Sequence, residues 1–142
     1  MARKPGETET LPAHLARRES ELAVIRDIAA SAADGPVLML NLNRYKPEAG
    51  FPGNGRHRDY IAGLETFLAG IGAKILWRHP VRGQVVGDQP VDEILAAWYP
   101  SHQAFLDLAS APGAEENYRL RAECVAAATI HRCAGDTAPF CP

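Results

Sequence analysis

Residues 36–46 read PVLMLNLNRYK, and the reading of this stretch decides the fold. Successive side chains of a strand point to opposite faces. Leu38, Leu40 and Leu42 then make one face uniformly apolar, whereas the other opens with Val37 and Met39 and turns polar at Asn41 and Asn43. A buried amide must find partners for two donors and an acceptor, so it is held by a hydrogen-bond network or by a ligand. Residues 36–46 are therefore a strand, and Asn41 and Asn43 are candidate ligand-binding residues.

Working outward, Asp34-Gly35-Pro36 terminates a helix, because Gly caps it and Pro cannot continue it. That helix is expected over residues 10–33, with Pro12 in its first turn and Leu11, Leu15, Leu22, Ile25 and Ile28 near one face. Residues 1–9 read as a frayed tail. On the other side, residues 47–55 carry three Gly and two Pro, which forbid regular structure; the loop is long enough to fold over something. Tyr60, Ile61, Leu64, Phe67 and Leu68 then mark a helix over 56–70.

Residues 73–79 alternate as a second strand that Pro80 breaks, and 83–87 resume as an extended, bulged edge. In a third strand over 92–99, Ile94, Ala96 and Trp98 face one way and Glu93, Leu95, Ala97 and Tyr99 the other. Pro100-Ser101 turns the chain into a helix with Phe105, Leu106 and Leu108 buried; it is interrupted at Pro112-Gly113 and restarts over 114–126. A short last strand covers 127–133. The divisions are a tail and amphipathic helix over 1–35, a core domain over 36–133 and a loose C-terminal tail over 134–142.

A chain of 142 residues, 46% hydrophobic and 23% charged, is one soluble domain with room for one core and one modest pocket. A net charge of −2 argues against nucleic-acid binding. No apolar run approaches the roughly 20 residues of a membrane span, and the amino terminus lacks a secretory core, so the cytoplasm is expected. Cys124, Cys133 and Cys141 form no framework or CxxC motif. A zinc site from His131, Cys133 and Cys141 would match no standard spacing, so Cys124 is read as core, the other two as exposed thiols, and no metal or cofactor is expected.

Setting the first helix aside, the order strand, helix, strand, strand, helix, strand predicts an α+β, ferredoxin-like fold with a four-stranded antiparallel sheet. Right-handed crossovers put the opening strand beside the third and fourth. Helices would cover one sheet face, and the apolar other face calls for a homodimer built as a dimeric α/β barrel.

The segments VLMLNLNRYK, GIGAKILWR and VVGDQPVDEILAAWYPS, with the helix carrying Arg121, resemble the DUF1330 family of the dimeric α/β-barrel superfamily. That superfamily includes cofactor-free monooxygenases, polyketide cyclases, aldoxime-type dehydratases, haem proteins and muconolactone isomerases, so fold alone does not fix function. The chain departs from the family pattern at His57, where relatives tend to have Tyr, and in its amino-terminal helix.

The candidate catalytic groups are His57, Tyr60, His102 and His131, since imidazole titrates near neutral pH. His57 either closes onto a ligand or is solvated; His102 reads first as solvent-facing. His131 is a base if it shares the asparagine face and an interface residue if it does not. Arg121 offers a bidentate clamp for a carboxylate or phenolate, Trp77 and Trp98 offer apolar walls or dimer contacts, and Arg119 pairs with neighbouring glutamates. The function expected is cofactor-independent cyclase, isomerase or oxygenase chemistry on an apolar or aromatic, polyketide-like small molecule. The alternative is a non-catalytic ligand-binding or structural homodimer.

Overall fold

In the computed structural model, residues 13–53 and 55–142 are described. Strand β1, Val37–Tyr45, lies inside a four-stranded sheet completed by β2 (Lys74–Pro80), β3 (Glu93–Tyr99) and β4 (Val125–Ala134). The strand order is β2-β3-β1-β4, and every neighbouring pair is antiparallel. Leu38 stands opposite Trp98 and Cys133, Leu40 opposite Ala96 and His131, and Leu42 opposite Ile94 and Thr129. Directly paired residues share a face, so these residues form one side of the sheet. On the other side, Val37, Met39, Tyr45, Leu95, Ala97 and Tyr99 pack into a core with Ile25, Tyr60, Leu68, Leu120 and Cys124 from the helices. The asparagines are thus on the helix-covered face.

The helices are α1 (Ala13–Ala29), α2 (Arg56–Ala69), α3 (His102–Asp107) and α4 (Ala114–Cys124). The expected tail over 1–9 and the helix start at residues 10–12, with Leu11 and Pro12, lie outside the described residues. Helix α3 is capped by the Ser101 hydroxyl, which accepts from the Ala104 N–H at 3.0 Å. Helix α4 stops two residues before the expected 126. Val125 is extended and pairs with Tyr45 where the β1–β4 register shifts, so ladder pairing prevails over helix continuation.

Two further expectations change. Pro80 is the last residue of β2 instead of breaking the strand after His79, which an edge strand tolerates. Residues 83–87 form no strand; they belong to an exposed loop between β2 and β3, in which Gly87 takes φ 98°.

The C-terminal segment is not loose. Residue 134 belongs to β4, Gly135 is buried, and its carbonyl accepts from the Trp98 indole N–H at 2.7 Å. The Phe140 ring lies 6.2 Å from that of Trp77. This segment lies against Trp98 and Trp77 at the end of the leucine face where Leu38 is completely buried. Leu40, Leu42 and Ile94 at the other end stay only half-buried. Among the described residues no helix is long and apolar enough to cross a membrane.

Candidate functional site

Glu93 opens β3 on the helix-covered face and is 2% exposed. A buried carboxylate is costly without partners, and three converge on it. The Tyr45 hydroxyl donates to Oε1 at 2.6 Å, His57 Nε2 lies 3.2 Å from the same oxygen, and Arg78 Nη1 donates to Oε2 at 2.6 Å. The end of β1 delivers Tyr45, whose backbone N–H is fixed by Asp92 Oδ2 at 2.8 Å. The first turn of α2 delivers His57.

Arg78 arrives through an irregularity. The β2–β3 register slips between Ile75 and Trp77, and one extra residue reverses the alternation beyond it. Trp77 and His79 therefore join the leucine face, opposite Ala96 and Ile94, while Arg78 stands opposite Leu95 on the helix side.

Asn43 adds an unsatisfied group. Tyr45 has one proton and gives it to Glu93, so its oxygen accepts from Asn43 Nδ2 at 3.4 Å. This directs Asn43 Oδ1 elsewhere, and that buried acceptor has no donor among the described residues. Phe51, half-buried on the loop after β1, places its ring 5.0 Å from Tyr45 and 4.8 Å from His57. The loop does fold over something: this cluster.

Burial, reinforced by Glu93, pushes the Tyr45 phenol well above its ordinary value and keeps it a proton donor. Tyr60, 4% exposed, is raised by burial and pulled back by the charge and hydrogen bond of Arg121. No carboxylate lies within ion-pair distance of Arg121 among the described residues. The arrangement unites a phenol whose proton is given to Glu93, an imidazole held against the same carboxylate, a buried amide acceptor with no donor among the described residues, and a second guanidinium nearby. The Arg78 side chain is 35% exposed and marks the solvent edge.

Of the residues singled out from sequence, Asn43 and His57 meet in this cluster, and Tyr60 with Arg121 borders it. Asn41 does not join; its Nδ2 donates to the Met39 carbonyl of its own strand at 3.0 Å. His102 is buried rather than solvent-facing, because Asp34 receives its backbone N–H at 2.7 Å and its Nδ1 at 3.0 Å. His131, Trp77 and Trp98 lie on the leucine face, away from Asn43. Arg119 pairs with Glu116 and Glu123.

The sequence pattern does not single out Glu93, Tyr45, Arg78 or Phe51 as site residues. The first two shared the parity of buried positions, a signal that was readable; Arg78 was hidden by the bulge.

No family model and no curated protein matches the chain. Among solved structures, it is similar to RPA0582, a protein of unknown function from Rhodopseudomonas palustris, at 27% identity and a TM-score of 0.62 over 81% of this chain and 91% of that one. The structure of methylated RPA0582 gives a TM-score of 0.66 at 24% identity, covering 85% and 93%. The chain shares with them an α+β fold.

Proposed function

We propose that this chain is a ferredoxin-like, dimeric α/β-barrel protein of the DUF1330 type that performs cofactor-independent acid–base chemistry on a small, apolar or aromatic, polyketide-like molecule. One observation carries the proposal: a fully buried Glu93 orients His57 and Tyr45 beside an amide oxygen, on Asn43, that has no donor among the described residues. With Nε2–H directed at Glu93, the neutral imidazole presents Nδ1 as a base. It removes a proton next to a substrate carbonyl, and the Arg121–Tyr60 pair stabilises the enolate formed.

The test is proton exchange. The protein is incubated in deuterated buffer with a panel of 1,3-dicarbonyl and phenolic compounds, and loss of carbon-bound proton signals is followed by NMR. Exchange should occur with the wild-type protein and fall at least about 100-fold in Glu93→Gln and His57→Gln. A folded Glu93→Gln protein exchanging at the wild-type rate, or a wild-type protein inert to the whole panel, would rule the chemistry out.

A second reading rests on the same contacts. Both Glu93 oxygens are already engaged, as in a purely structural clamp joining β1, β2, β3 and α2. Glu93→Gln would then lower stability with no exchange to lose.

The homodimer is supported by the half-buried Leu40, Leu42 and Ile94 and by the nearby loop that exposes Val85 and Val86. Gln89 of that loop reaches Thr129 on the leucine face at 2.8 Å. A second copy seated on this face would cover apolar surface that the chain leaves open.

A further inference from the structure

The Glu93 cluster leaves open what shape of ligand it takes, and Phe51 answers through its position. Its ring meets His57 at an interplanar angle of 75° and Tyr45 at 43°, while His57 and Tyr45 meet each other at 4.6 Å. Two rings standing close but not parallel enclose a corner, and a third flat ring fills it. The chain supplies that ring from the loop after β1, packed against the edge of the core. Ala49, fully buried, anchors the loop, whereas Phe51 follows Gly50 in the left-handed conformation (φ 74°) and is only half-buried. Past the Tyr45 hydroxyl lies the Asn43 amide, its oxygen buried and without a donor among the described residues.

We propose that the Phe51 ring stands in for the ring of the ligand: the site takes a small planar aromatic or enolic molecule bearing a hydroxyl. Its ring displaces Phe51 from the Tyr45–His57 corner and its hydroxyl donates to Asn43 Oδ1. The requirement for a donor is chemical, since an amide oxygen only accepts and an acceptor-only ligand would leave it as unpaired as before. This inference rests on reading the Glu93 cluster as a ligand site, and it narrows the substrate class to hydroxylated rings or enols.

Phenol and anisole separate the elements of the proposal, because the second keeps the ring and oxygen but lacks the donor. Binding is followed by NMR through the Tyr45 and His57 ring signals. Phe51→Ala should bind phenol at least about tenfold more tightly than wild type, and phenol at least about tenfold more tightly than anisole. A mere hole left by the truncated side chain would favour the more apolar anisole, and that outcome overturns the proposal. So does a Phe51→Ala protein in which neither compound moves the Tyr45 and His57 signals.

The two proposals fail separately. Selective phenol binding together with Glu93-independent proton exchange removes the catalytic reading and keeps the subsite. Glu93-dependent exchange with no ring binding in Phe51→Ala does the reverse.

Discussion

At the scale of single residues, Tyr45 joins what would otherwise be separate contacts. Its hydroxyl is the donor to Glu93 and the acceptor from Asn43. Tyr45→Phe keeps the ring against Phe51 and His57 but strands the buried Asn43 Nδ2 and takes one of its two partners from Glu93 Oε1, so it should cost about 1–3 kcal/mol in urea unfolding. Asn41→Leu removes only a part-buried bond to the same strand, and it should change stability by less than about 1 kcal/mol. Equal losses in the two variants would contradict the network. Asp34 carries the clearest acid dependence. Burial raises its pKa, but the backbone N–H groups of His102 and Gln103 and the His102 side chain outweigh that, leaving it below 3.8. A lowered carboxyl pKa means stability that is complete above the unfolded value and is lost as pH falls through the folded one. The stability difference between wild type and Asp34→Asn should therefore be constant above pH 3.8 and shrink below it. A difference unaffected by acid would show that the His102 contact contributes nothing through charge.

At the scale of elements, period-two alternation in β1 and β3 is enough to sort their residues into two faces but not to say which one the helices cover, and strand order follows from crossover handedness. Where a local signal competed with pairing, sequence misled: Val125 reads as helix but pairs with Tyr45, and the slip in β2 reverses Trp77 and Arg78 without any Gly or Pro to announce it. The Glu93 cluster was only partly legible because its members lie 15 to 48 residues apart and meet through the fold alone. Glu93 itself was visible as a charge among buried positions of β3. The order of the C-terminal segment is hidden in the sequence for a different reason: its anchor is a glycine. A Cβ on Gly135 would sit 2.5 Å from the Val37 backbone nitrogen and 2.7 Å from the Pro36 carbonyl carbon, neither of which can yield easily. Gly135→Ala should accordingly cost about 1–3 kcal/mol and release the segment. Loss of the Trp98–Gly135 bond would appear as a red shift in tryptophan emission; unchanged emission and stability would mean the close approach is relaxed in solution.

At the scale of the whole molecule, the two sheet faces have divided roles. One is filled by helices and carries the Glu93 cluster; the other is covered at the Trp98 end by the chain's own C-terminal segment and open at the Leu42 end. The proposed second copy would then seat on the Leu40, Leu42 and Ile94 end, beside the exposed Val85 and Val86. A stable interface of standard size needs about 800 Å² from each partner, which three half-buried side chains reach only with the loop's help. Sedimentation at micromolar concentration should give twice the 15.4 kDa of one chain. Leu42→Lys places a charge in the centre of that seam and should yield the single chain. Because Leu42 points away from Asn43 and Tyr45, the helix-side core should keep its wild-type near-ultraviolet circular dichroism. Val85→Ser with Val86→Ser should weaken the dimer without abolishing it, since the leucine seam remains. A wild-type protein sedimenting only at 15.4 kDa would mean that the open leucines are tolerated by one chain alone.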